Sequence, residues 1–174
     1  KADDLIGKGV AYCAACDGAF FRNQDVVVAG GGNTALEDAL LLSNIAARVT
    51  MVHRRDAFKG EAILMNELKK KDHVDILWNH QIVQIQGEHQ VESIVVEDVN
   101  THKQTKLSCN AVFVSIGREP SSQLFRHQLQ CDENGYIEAK EDCRTSIPGV
   151  YAIGDVRTKN FRQTALLSEM KNPY

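Results

Sequence analysis

The sequence predicts an α/β fold, a parallel sheet that carries an antiparallel β-meander. Three observations predict it. An apolar run, Val26-Val27-Val28-Ala29, ends in three glycines and is followed by a helical pattern and a second apolar run. Strand, tight turn, helix and strand within about 28 residues match a βαβ unit. Residues 80–107 then change to β-rich runs broken at 87–89 and 100–103, the signature of a meander inserted in a parallel fold. Finally, residues 111–116 are apolar and β-branched again, which returns the chain to the parallel sheet.

Each element has its own reason. Val26 to Ala29 lacks polar alternation, as a strand buried on both faces does. From Asn33 to Ser43, Leu36, Ala39, Leu40 and Leu42 fall near helical spacing. Thr34 followed by Glu37 predicts a capping box at the start of that helix. Val49-Thr50-Met51-Val52 is the second strand and residues 74–77 the third. Between them a helix fits residues 61–71, with Ile63, Leu64, Glu67 and Leu68 in register. Its three terminal lysines suit the negative end of a helix dipole. Gly117-Arg118-Glu119-Pro120-Ser121-Ser122 is the clearest breaker run and predicts a boundary between residues 1–122 and 123–174. Beyond it the pattern predicts a short helix over 123–129, a turn at Asn134-Gly135 and a strand over 150–153.

Composition excludes several classes. The 174 residues are 43% hydrophobic and 25% charged with a net charge of −3, which suits a soluble globular protein and excludes a disordered tail. The near-neutral balance argues against nucleic-acid and membrane-surface binding. No apolar run approaches the ~20 residues of a transmembrane helix. Five cysteines, at 13, 16, 109, 131 and 143, are too few and too irregular for a secreted disulfide framework.

Gly30-Gly31-Gly32-Asn33-Thr34-Ala35 fits GxGxxA between a strand and a helix. Gly30 permits a tight turn, Gly32 lets backbone approach a pyrophosphate, and Ala35 lets helix and strand pack closely. The helix start then offers N–H groups to phosphates. This is a Rossmann-like dinucleotide site. The end of the next strand selects the dinucleotide. An NAD site places a carboxylate there for the ribose 2′-hydroxyl. This chain has His53-Arg54-Arg55, with Lys59 close behind, which suits a 2′-phosphate and predicts NADPH.

Cys13-Ala14-Ala15-Cys16-Asp17 precedes the first long strand. The spacing is open to three readings: a reversible dithiol/disulfide, half a zinc site, or two ordinary thiols. A zinc site needs a second ligand pair, and Cys131 and Cys143 lie too far apart in sequence to supply one. No metal ligands are assigned. The dithiol reading is favoured, with Asp17 placed to exchange a proton with a leaving thiolate. Cys109, at the end of a β-rich run, reads as a packed small side chain.

Together these motifs closely resemble the low-molecular-weight thioredoxin reductases, the bacterial flavoprotein type. The matching stretches include residues 13–18, 30–39, His53-Arg54-Arg55-Asp56, Ser115-Ile116-Gly117-Arg118 and residues 145–156. The resemblance implies that Cys13 and Cys16 are the redox-active disulfide and Asp17 their acid/base partner. It implies that Gly30, Gly31, Gly32, Asn33, Thr34 and Ala35 hold the NADPH pyrophosphate. His53, Arg54, Arg55 and Lys59 would surround the 2′-phosphate, and Ile116 and Gly117 would line the pocket. Gly154, Asp155 and Val156, with Arg162, Gln163, Thr164 and Ala165, would contact FAD. In this reading residues 1–122 are the NADPH-binding domain. Residues 123–174 are the C-terminal part of a split FAD domain, and the chain is expected to be a fragment, inactive alone. The activity implied is electron transfer from NADPH through FAD and the disulfide to thioredoxin, in a cytoplasmic homodimer. Two alternatives stand beside it. The flavin subunit of alkyl hydroperoxide reductase shares CxxCD and the glycine turn but prefers NADH. A nucleotide-binding or thiol-sensing module would have no turnover of its own.

Overall fold

The computed structural model describes residues 3–117 and 120–159. Two compact units divide at Gly117/Arg118, inside the breaker run. The first is an α/β unit of the predicted class. Its strands are β1 (Val10–Ala11), β2 (Asp25–Gly30), β3 (Arg48–His53), β4 (Val74–Trp78), β5 (His80–Gln86), β6 (Ser93–Asp98), β7 (Gln104–Ser108) and β8 (Ala111–Ser115). Its helices are α1 (Ala14–Asp17), α2 (Asn33–Ser43) and α3 (Ala62–Leu68). The parallel sheet has the order β1-β8-β2-β3-β4, and β5-β6-β7 form a separate antiparallel sheet.

The apolar run of β2 is explained by cover on both faces. Val26 and Val28 point to the helical side, where they pack with Leu36, Ala39, Leu42, Met51, Leu68 and Phe113. Val27 points the other way, into a second core with Val52, Val112, Ile94 and Val96 under the meander. A strand enclosed on both sides has no solvent face to carry polar residues.

The structure corrects several expectations. The capping box does not form. Gly32 is the N-cap of α2 in extended backbone and no side chain caps the first turn. Thr34 therefore lies inside the helix, two residues past the N-cap. The second predicted helix ends at Leu68 and not at residue 71. The amides of Lys70 and Lys71 bond three residues back, to Glu67 and Leu68, a tighter closing turn. In the second unit, residues 123–129 form successive turns around Ser122 and Phe125 instead of a helix. Leu124 is 82% exposed and only Leu129 is buried, so no apolar face exists to stabilise so short a helix. The strand expected over 150–153 reduces to one bridge between Tyr151 and Arg144, flanked by left-handed Gly149 and Gly154. The Asn134-Gly135 turn is present, closed by a Gly135 N–H to Asp132 carbonyl bond of 2.9 Å. Among the described residues no helix is long and apolar enough to cross a membrane.

Cys109 is buried as expected, 4% exposed. Burial, with a smaller push from the Asp25 carboxylate, raises its thiol to about 12 from an ordinary value of 9.0. A raised value means that the native state holds the proton longer than the unfolded chain. The stability this represents is complete below pH 9 and is lost as pH climbs through the window to about 12. Each pH unit there removes up to about 1.4 kcal/mol. Thermal melts from pH 8 to 11 will therefore fall more steeply for the native chain than for Cys109→Ala. Parallel curves would show that Cys109 contributes nothing to alkaline sensitivity.

Candidate functional site

The carboxyl edge of the parallel sheet carries both sets of chemical groups. Ala11 and Val28 pair with the same residue, Phe113, from opposite sides of β8. Cys13 stands two residues beyond Ala11, as Gly30 stands two beyond Val28. The cysteine pair and the glycine turn thus leave the same carboxyl edge of the sheet, on strands separated by β8.

Around the glycine turn lies a cleft of about 710 Å³. It gathers Gly30, Gly31, Gly32 and Thr34 from the turn, and His53, Arg54, Arg55 and Lys59 from the loop after β3. Ile116 and Gly117 come from the end of β8. Gly30 has φ +148°, and a Cβ there would collide with the Ser115 carbonyl oxygen. Only glycine fits both demands. Ala35 is fully buried beneath the turn, where a larger residue would push α2 off the sheet. Gly32 faces open space, with no atom within 4 Å of where a Cβ would sit. Beside it are the uncapped N–H groups of α2. Free donors, a positive dipole end and open space suit an anion. Arg54, Arg55 and Lys59 are exposed and make no ion pair among the described residues. Three uncommitted cations beside that turn favour a second anionic group.

His53 behaves differently from its basic neighbours. Its Nε2 lies 3.0 Å from the Ala57 carbonyl. Its ring packs against Gly31, where an added Cβ would strike it, and near Phe58 and Trp78, with centroids 5.3 and 6.1 Å away. Burial of the ring lowers its pKa, against the Ala57 hydrogen bond and with help from the charges of Arg55 and Arg54. A neutral imidazole wedged in this way shapes the basic loop.

Cys13 and Cys16 form a disulfide at the start of α1, with Cα atoms 5.3 Å apart. Cys13 is the N-cap, and its sulfur accepts the Cys16 N–H at 3.1 Å. Ala14 is buried in the core beside α2, which anchors the pair, while Cys16 is exposed and Asp17 half-exposed. Of the remaining candidates, Asn33 does not line the cleft but bonds Glu61. Gly154, Asp155 and Val156 form a short exposed or half-exposed 3-10 turn in the second unit. Arg162, Gln163, Thr164 and Ala165 lie outside the described residues.

Two contributions were not foreseen. Residues 80–85 of β5 form one wall of the cleft, and a bulge between Ile82 and Gln84 breaks the ladder there. The meander pattern was visible, but not that it folds back over the sheet edge. Ser115, at the end of β8, donates to the Asp38 carboxylate at 2.5 Å and ties that edge to α2.

Comparison with known proteins agrees with this geometry. The thioredoxin reductase of Treponema pallidum is 42% identical over 160 residues, covering 92% of this chain and 52% of its own length. The crystal structure of thioredoxin reductase from Streptococcus pyogenes superimposes with a TM-score of 0.80 at 42% identity, covering 90% of this chain and 51% of that one. That of Lactococcus lactis thioredoxin reductase gives 0.77 at 37% identity, covering 93% and 54%. The chain spans about half the length of the curated relatives it matches. A family model described as pyridine nucleotide-disulphide oxidoreductase matches residues 2–169. With a glycine turn and a disulfide on one sheet edge and nearly its whole length matched, the chain belongs to the pyridine nucleotide-disulphide oxidoreductase family.

Proposed function

We propose that the chain is the nucleotide- and disulfide-bearing part of an NADPH-dependent thioredoxin-disulfide reductase. The observation that carries this reading is the shared edge: a glycine-turn cleft with unpaired cations and a Cys13–Cys16 disulfide both follow strands of one sheet at its carboxyl end. The first unit is the NADPH-binding domain. Its glycine turn would hold the pyrophosphate and its Arg54, Arg55 and Lys59 the 2′-phosphate. The second unit belongs to an FAD-binding domain, with Gly154, Asp155 and Val156 offering backbone on an accessible turn. FAD, when bound, relays two electrons between nicotinamide and disulfide. Two electrons and two protons convert the Cys13–Cys16 bond to two thiols, and Asp17 is the nearest acid in sequence to exchange a proton with them. A thiolate of the pair then attacks the thioredoxin disulfide, and its partner cysteine resolves the mixed disulfide, returning Cys13–Cys16 to the oxidised form. A cytoplasmic homodimer completes the reading and rests on the family resemblance alone.

The test uses the chain reduced at Cys13 and Cys16 and freed of reductant. Mixed with oxidised thioredoxin, it will pass its electrons on, and alkylation with mass detection will find thiols on thioredoxin. Cys16→Ser and Cys13→Ser variants will abolish the transfer. A chain that binds NADPH yet leaves thioredoxin oxidised is a nucleotide-binding module. Preference for NADH would instead point to the alkyl hydroperoxide reductase subunit.

A further inference from the structure

We propose that Asn33 and Glu61 form a positioning clamp that couples the two phosphate subsites of the cleft, so that NADPH selection depends on side chains that touch no phosphate. This inference rests on the nucleotide reading above. Asn33 is the first residue of α2, and Glu61 is the N-cap of α3 at the far end of the basic loop. The bonding is reciprocal. The Glu61 backbone N–H donates to Asn33 Oδ1 at 2.8 Å, and Asn33 Nδ2 donates to Glu61 Oε1 at 3.0 Å. A backbone N–H needs an acceptor and a carboxylate needs a donor, so one amide orientation alone satisfies both. A third tie runs from the Lys59 N–H to the Gly31 carbonyl at 2.8 Å. Gly60 between them sits against Leu36, where a Cβ would collide. The loop that carries Arg54, Arg55 and Lys59 is thereby docked on the first turn of α2.

The consequence follows from the ligand. NADPH holds its pyrophosphate and its 2′-phosphate at a spacing set by one adenosine. The glycine turn and the basic loop are separate pieces of chain and must match that spacing before binding, or binding must order them at a cost. The clamp fixes it in advance.

Three probes separate coupling from other roles. NADH engages the pyrophosphate subsite only, adenosine 2′-monophosphate the 2′-phosphate subsite only, and NADPH both. Calorimetric titration of Asn33→Ala will show NADPH affinity reduced about threefold to tenfold, the loss of two exposed hydrogen bonds. NADH and adenosine 2′-monophosphate will stay within about twofold, because each needs only one subsite. Glu61→Ala will weaken NADPH in the same direction, and Glu61→Gln, which keeps both bonds, will restore it. Equal loss of NADPH and NADH in Asn33→Ala would make Asn33 a direct pyrophosphate ligand and overturn the clamp. Tighter NADPH binding by Glu61→Ala would show that only the carboxylate charge matters, which also overturns it. If Asn33→Ala fails to fold by circular dichroism, the Glu61→Ala and Glu61→Gln pair decides. Failure of the nucleotide reading shows elsewhere, in an unaltered chain with no preference for NADPH over NADH.

Discussion

Replacing Arg54 and Arg55 together with alanine will weaken NADPH binding by about thirtyfold to a hundredfold at low salt and leave NADH within about threefold. A 2′-phosphate brings up to two negative charges and strong acceptor oxygens, which guanidinium groups bind through charge-assisted hydrogen bonds of about 1.5–3 kcal/mol each. Both arginines here are exposed, so solvent and salt screening hold the gain somewhat below that range, at about 1.0–1.4 kcal/mol each. Neither is spent on a protein carboxylate among the described residues, so no existing ion pair must break first. NADH presents a hydroxyl at that position and gains little from either cation. Raising the salt from 50 to 300 mM should shrink the difference between native and variant chains. Titration of both nucleotides with each protein checks the claim, and equal losses for NADPH and NADH would remove the 2′-phosphate assignment.

What could be read from the residues, and what could not, divides by the range of the interactions. The stretch from Val26 to Val52 was legible because its signals are local. An unbroken apolar run marks a strand covered twice, and Asn33–Ser43 is the helix that the spacing of Leu36, Ala39 and Leu42 predicts. The two-residue β1 was not legible, since Val10 and Ala11 become a strand only by pairing with Val112 and Phe113 about a hundred residues later. The same limit hid the β5 wall. In sequence His53 groups with Arg54 and Arg55, because all three are basic. The structure separates them, because Trp78 and Phe58 take away the solvent that a charged imidazole needs. The capping box failed for a reason inside the motif itself. Gly32 already holds the extended N-cap backbone, so the helix begins before Thr34 can cap it. That failure suits the site, since a capped helix would have its first N–H groups occupied by its own side chain.

The glycine turn gives the second large effect, and its two outer glycines should fail in different ways. Gly30→Ala will cost about 2–5 kcal/mol of folding stability. At φ +148° an L-residue is strained by about 1–3 kcal/mol. The new Cβ would also meet the Ser115 carbonyl oxygen and lie 2.8 Å from Ala35 Cβ. Neither neighbour is free to move. Ser115 is held in the β2–β8 ladder, and Ala35 is fully buried. Relief would require β8 to shift or α2 to lift from the sheet, both at the expense of core packing. Gly32→Ala meets none of this. Its backbone, φ −93° and ψ −178°, is open to any residue, and no atom lies within 4 Å of the added methyl. Stability should stay within about 0.5 kcal/mol, because alanine's poorer N-capping is offset by the loss of glycine's unfolded-state freedom. The methyl would instead stand in the space beside the α2 N–H groups, which the proposed nucleotide reading gives to the pyrophosphate. Urea unfolding and NADPH titration on both variants separate the effects: Gly30→Ala loses stability, whereas Gly32→Ala keeps its unfolding midpoint and loses nucleotide. If Gly32→Ala binds NADPH as tightly as the native chain, the pyrophosphate does not approach this backbone. The anion site would then have to be sought along Arg54, Arg55 and Lys59 alone.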